Sequence, residues 1–290
     1  MSGPRRVDVD SVGGTRIAAY RWDPDGDPVA AVQVSHGMGE HAQRYAPLAE
    51  VLTRHGYVVY AQDHRGHGAS IVDGVEAGVI GADGWTELVR DIDRLRDRIE
   101  DAHPGLPVAH LGHSMGSFAA QQDVLDHSRD LSALLLTGTA AIDLLEPALD
   151  LDQPLDLTAF NAPFAPARTD YDWLSRDEHQ VDLYVEDPLC GFGLDTDAGR
   201  QMFTAAREVA DPARLAEIRG DLPVYIAVGE LDPVNAQLTV VRPLVERLEA
   251  AGLEDVTFVT YPEARHEIFN ETNRSEVVAG IVAWLGDRLT

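Results

Sequence analysis

The chain has 290 residues, of which 44% are hydrophobic and 25% charged, enough apolar material to bury a full core in one large globular domain. Forty-nine acidic residues against 23 basic ones, all of them arginine, give a formal net charge of -26, and such a surface repels nucleic acid and anionic lipid headgroups. Two arginines near the start have no apolar run behind them, no stretch approaches a membrane span, and the single Cys190 excludes an intramolecular disulfide. The expectation is a cytoplasmic protein without stable membrane anchoring.

In chain order, Val7 and Val9 alternate with Asp8 and Asp10, Gly13 and Gly14 supply a turn, and Ile17, Ala19 and Tyr20 resume the apolar pattern. This predicts an antiparallel hairpin. Val29 to Ser35 reads as a strand ending in His36-Gly37-Met38-Gly39, followed by Tyr45, Leu48, Ala49 and Leu52 at helical spacing up to Gly56. Tyr57 to Gln62 is a second strand, and Trp85, Leu88, Ile92, Leu95 and Ile99 mark one face of a helix that stops before Pro104. Pro107 onward forms a third strand, with a helix from Met115 to about His127. Further strands follow at Ser132 to Gly138, Pro223 to Gly229 and Val256 to Tyr261. A helix from about Ala236 to Ala251 separates the last two strands, and a final helix carries Val277, Ile281, Trp284 and Leu285. Six buried-type strands separated mainly by helices, with the hairpin as an antiparallel edge, predict an α/β fold with an eight-stranded, mostly parallel sheet flanked by helices.

One interval breaks the alternation. From about Ala140 to Ile218 no strand is predicted; a capping box at Ser175–Glu178, a helix at Asp197 to Val209, and Asp211 capping ahead of Pro212 appear instead. That is too long for a loop in a compact sheet and reads as an inserted helical cap over the C-terminal edge of the strands, where open α/β sheets bind ligands. The chain then divides into a first core part (1–139), the cap (140–218) and a second core part (219–290).

Gly112-His113-Ser114-Met115-Gly116 is a G-x-S-x-G between strand and helix. In so tight a reversal the serine is strained with its hydroxyl above the sheet, and the helix behind it aims N–H groups where an oxyanion would form. Taken alone, the pentapeptide also fits an ordinary strand-to-helix loop. A serine nucleophile needs a histidine base held by a carboxylate. Asp232 and His266 lie just past two later strands, on the same sheet edge, in the chain order Ser, Asp, His. Glu230 competes with Asp232 for the acid. His36, His64, His67 and His113 flank glycines at that edge and read as structural hydrogen-bonding groups, since no metal-binding pair such as H-E-x-x-H is present. Met115 and Met38 are the candidate oxyanion amides, Gly37 and Gly39 giving the second loop its freedom to turn; Met38 could instead only pack against the cap.

The blocks HGMGEHAQRY (36–45), DHRGHGAS (63–70), GHSMG (112–116), YDWLSRDEHQVDLYVEDPLCGF (171–192) and ARHEIFNE (264–271) resemble the monoacylglycerol lipase and lysophospholipase branch of the α/β-hydrolases over nearly the whole chain. The resemblance implies a catalytic triad of Ser114, Asp232 and His266, oxyanion amides at Met38 and Met115, and hydrolysis of a small-molecule carboxylic ester with an acyl chain, without metal or organic cofactor. Carboxylesterases and peptidases share this triad, so a small soluble or xenobiotic ester is an alternative substrate, and a catalytically silent ligand-binding homologue is the alternative from another class. In the first cap stretch, Ile142 to Phe164, leucines interleave with acids, a pattern that permits an apolar pocket lining with an acidic exterior.

Overall fold

The computed structural model describes residues 3–289. Ten strands form among the described residues: β1 (Arg5–Arg6), β2 (Val9–Asp10), β3 (Arg16–Ile17), β4 (Ala19–Trp22), β5 (Ala30–Ser35), β6 (Tyr57–Gln62), β7 (Val108–His113), β8 (Ala133–Thr137), β9 (Val224–Gly229) and β10 (Val256–Tyr261). Eight build one sheet in the order β1-β4-β6-β5-β7-β8-β9-β10, in which β5 to β10 run parallel and β1 and β4 form the antiparallel edge. The amino-terminal hairpin contributes that edge and also a separate two-stranded ribbon, β2 with β3, turned through Gly13 and Gly14 at φ of 65° and 78°.

The helices are α1 (Ala46–Arg54), α2 (Gly84–Ala102), α3 (Met115–His127), α4 (Glu178–Glu186), α5 (Thr196–Val209), α6 (Pro212–Leu215), α7 (Arg242–Ala250) and α8 (Arg274–Leu289). Alternate strand residues point to opposite faces, and the central strands β5 to β9 are buried on both, while the edge strand β10 is mostly half-buried. In β8, Leu134 and Leu136 pack with Leu95 and Ile99 of α2, Val124 of α3 and Leu244 of α7, whereas Ala133 and Leu135 join Leu52 of α1 and Ile281 and Trp284 of α8. Each large aliphatic side chain buried this way contributes about 1.5–3 kcal/mol.

Two predicted helix starts are corrected. The stretch from Ala236 is not helical: Ala236, Gln237 and Leu238 have φ of 48°, 51° and 72°, and α7 begins at Arg242. The cause is local hydrogen bonding that outcompetes the helix, since Asp232 Oδ1 accepts from Val234 N at 2.8 Å and Asn235 Oδ1 from Leu238 N at 2.7 Å. The box at Ser175 does not open α4 either; Asp177 is its N-cap, accepting from His179 N, while Ser175 Oγ accepts from Asp177 N and donates to Asn270 O. Asp195 and Asp211 cap α5 and α6.

The sheet order places the site. The chain leaves β5 toward β6 on one side and later returns to β7 on the other, so the loops after β5 and β7 separate at the C-terminal ends of adjacent strands, a topological switch point. Between β8 and β9 the chain makes α4, α5, α6 and several 3₁₀ turns but no strand among the described residues. This helical segment packs with the ends of α2 and α3: Leu157, Trp173, Tyr184, Met202 and Phe203 cluster with Trp85, Leu88 and Phe118.

Candidate active site

Ser114 sits between β7 and α3 with φ 51° and ψ −123°, a conformation that L-residues rarely adopt and that costs about 1–3 kcal/mol. The surrounding structure holds it there. Ser114 N donates to Thr137 O at the end of β8 (2.9 Å), and its carbonyl accepts from Ser117 N (2.8 Å), Phe118 N (3.1 Å) and Ser117 Oγ (2.6 Å). The flanking glycines allow the approach: a Cβ on Gly112 would lie 2.6 Å from Gly116 O, and one on Gly116 would collide with the carbonyl of Ser35 in β5.

Asp232 and His266, separated in sequence, meet here. His266 Nδ1 lies 3.0 Å from Asp232 Oδ2, with Asp232 fully buried and His266 2% exposed. Asp232 is itself fixed by its turn, through the bond to Val234 N, and Gly229 permits the two loops to touch because a side chain there would strike the carbonyls of Ala264 and Arg265. Glu230 is turned away; its Oε1 accepts from Thr260 Oγ1 at 2.9 Å. Burial lowers the His266 pKa, but the charge and hydrogen bond of Asp232, with Glu267 and Glu40 behind them, outweigh it and leave it above the ordinary imidazole value.

Ser114, His266, Met38 and Met115 line one cavity of about 320 Å³. Its walls are Phe118 and Val234 from the core and Leu145, Leu157, Phe160 and Phe203 from the helical segment. The interleaved pattern of Ile142 to Phe164 therefore delivers an apolar lining, with Leu144 left 43% exposed and one acid, Asp156, reaching the wall. Neither the Met38 nor the Met115 amide donates to a protein acceptor among the described residues.

The loop after β5 rests on charged residues that motif reading left without a role. Glu40 Oε1 accepts from Gly37 N (2.6 Å) and Tyr45 Oη (2.8 Å), and its Oε2 from Arg44 Nη1 (2.7 Å). Arg44 also grips Glu267, the neighbour of His266. Burial pushes the Glu40 pKa up, yet Arg44, His113 and these bonds hold it below the usual carboxylate range. The i, i+4 spacing of Glu40 and Arg44 was the available sequence signal; the pairing with Glu267 had none.

The four loop histidines are buried. His36 Nδ1 bonds Gly37 O and its Nε2 accepts from His64 N; His67 Nδ1 bonds Arg65 O; His113 Nδ1 is 3.0 Å from Thr137 Oγ1. Among the described residues, the ligand atoms that converge closely enough for a metal ion are those of His41, Asp187 and Cys190 and those of Asp93, His127 and Asp130; the four loop histidines belong to neither group.

Residues 26–273 match the family described as serine aminopeptidase, S33. The chain belongs to this family of α/β-hydrolases. This S33 member is 33% identical over 285 residues to the monoacylglycerol lipase of Mycolicibacterium smegmatis, covering 96% of this chain and 95% of that protein. It is 30% identical over 292 residues to the monoglyceride lipase of Homo sapiens, covering 98% and 90%. The thermostable carboxyl esterase of Bacillus coagulans, solved in complex with glycerol, superposes with a TM-score of 0.87 over 100% of both chains at 27% identity.

Proposed function

We propose that this S33-family hydrolase cleaves carboxylic esters of acyl chains, monoacylglycerols foremost, through an acyl-enzyme on Ser114. The observation that carries the reading is the strained Ser114 at the wall of an apolar cavity shared with His266, whose other nitrogen is held by buried Asp232. His266 takes the Ser114 proton as the hydroxyl attacks the ester carbonyl. The Met38 and Met115 amides hold the oxyanion, each such donor being worth about 3 to 4 kcal/mol in transition-state stabilisation. His266 returns its proton to the departing alcohol, then activates the water that releases the acid. Asp232 keeps the imidazole in the productive tautomer. The helical segment serves as the cap, and its leucine and phenylalanine side chains suit an acyl chain better than a peptide. The relatives named monoacylglycerol and monoglyceride lipase support that substrate class.

A chain-length series of p-nitrophenyl esters and monoacylglycerols, run on wild type beside Ser114→Ala, tests this, together with fluorophosphonate labelling of Ser114. Turnover that survives Ser114→Ala, or a serine that does not label, rejects the acyl-enzyme. The net charge of -26 further favours dispersed esters over anionic bilayers; equal turnover on anionic vesicles and on soluble esters of the same chain length would refute that preference.

A further inference from the structure

One stretch of the helical segment, Asp172 to Arg176, is bonded along its length to the loop that carries His266. His266 N donates to Trp173 O at 3.4 Å, and Glu267 N to Leu174 O at 2.8 Å. Arg265 Nη1 donates to the carbonyls of Asp172 and Ser175. Ser175 Oγ donates to Asn270 O at 2.9 Å, and the fully buried Glu271 accepts from Arg176 N, Arg176 Nε and Arg265 N at 3.1, 2.9 and 2.9 Å. Segments joined this densely open together or not at all, unlike a lid that swings on few contacts.

Trp173 stands at the centre of this strap. It is 3% exposed, its ring lies 4.9 Å from the His266 ring at 42°, and Phe160 backs it at 5.1 Å. Its main-chain N–H is taken by Asn161 Oδ1 at 2.9 Å, which fixes the turn. His113 lies on the imidazole as well, with ring centroids 4.8 Å apart. The charged groups acting on His266 are Asp232 after β9, Glu40 after β5 and Glu267 beside it, the two glutamates sharing Arg44. Burial opposes a positive imidazole, whereas the π-face of an indole attracts a cation within about 6 Å. A leucine at the same position would exclude water without that attraction.

We propose that Trp173 is a positioning residue for the base: the strap holds the His266 loop by main-chain bonds, and the indole stabilises the imidazolium that forms while Ser114 attacks. The inference rests on His266 acting as the base. It is tested in a Ser114→Ala background by NMR titration of the imidazoles, with the His266 signal assigned by its loss in His266→Gln. Trp173→Leu is expected to move the His266 titration to lower pH by about half a pH unit or more, and Trp173→Phe to restore most of the shift. A Trp173→Leu titration that is unchanged, or that moves upward as it would if the indole only excluded water, overturns the proposal. Should Trp173→Leu not fold, Trp173→Met fills similar space without a π-face and is read the same way. The titration needs no substrate, so it separates failure of this inference from failure of the ester-hydrolase reading, which Ser114 labelling decides.

Discussion

Arg44 donates to both carboxylate oxygens of Glu267, at 2.5 and 2.8 Å, although 223 positions separate them in the chain. The same guanidinium reaches Glu40, whose other oxygen accepts from Gly37 N, so one cation, 11% exposed between two buried carboxylates, ties the loop of Met38 to the loop of His266. Removing one partner of a buried ion pair costs about 3–5 kcal/mol because a charge is left unpaired. Arg44→Gln leaves two carboxylates so exposed to each other and is expected to destabilise the protein by at least that amount in urea unfolding. Arg44→Lys, a point charge that cannot fork across Glu267, restores only part.

Asp232→Asn tests the hold on His266. Asparagine keeps the shape but presents the wrong hydrogen-bonding pattern to Nδ1, and the equivalent change in serine hydrolases with this arrangement lowers kcat about 10⁴-fold. Steady-state kinetics should show that loss in kcat while folding, followed by circular dichroism, is kept. A variant within tenfold of wild type would remove Asp232 from the triad.

The pH profile follows from the raised His266 pKa. The base must be neutral to accept the Ser114 proton, so kcat/KM falls as pH drops through the His266 pKa, and this acid limb should lie above the ordinary imidazole value of about 6.5. A limb at or below that value would contradict the dominance of Asp232 over burial.

Gly116→Ala tests the elbow geometry. The added methyl meets the carbonyls of both Ser35 and His36, main-chain atoms of β5 and its loop that cannot rotate away. Either the helix shifts from the sheet or the turn relaxes, and the expected result is a lower melting temperature together with loss of fluorophosphonate labelling at Ser114. Wild-type labelling and melting would show that the close packing is not needed.

Acid sensitivity should come from the buried imidazoles. Burial pushes His67 and His113 down to about 4, and holds His36, His64 and His110 well below the ordinary value. Their folded pKa values lie below the unfolded value, so the stability they contribute is complete above about pH 6.5 and is lost as pH falls toward 4, on the order of 3 kcal/mol for each of His67 and His113. Asp123, raised to about 6 by burial, acts in the opposite sense over part of that window. Urea unfolding at stepped pH should show a steep decline between pH 6.5 and 4; a flat profile would count against buried neutral imidazoles.

The α/β order, the parallel sheet and the place of Ser114 were legible because they are local or periodic: apolar runs of strand length, a 3.6-residue stripe on α2, and a G-x-S-x-G of fixed spacing whose Gly112 answers to contacts within the turn, although Gly116 answers to the carbonyls of Ser35 and His36 in a distant strand and its loop. The start of α7 was not, since the side chains of Asp232 and Asn235 redirect the backbone by bonds that helix periodicity does not reveal. The short Ser175 box failed for a related reason, its hydroxyl being drawn to Asn270, 95 positions away. Sequence order named Asp232 and His266 as partners for Ser114 but left Glu230 in competition, and only the packed loops turn Glu230 to Thr260 and Asp232 to His266. Glu40 and Arg44 had a signal in their i, i+4 spacing, but the reach of Arg44 to Glu267 and of the Trp173 indole to His266 was decided by tertiary structure alone. Their meaning lies in contacts between segments brought together by the sheet order and the interposed helical segment, and spacing along the chain carries no record of such contacts.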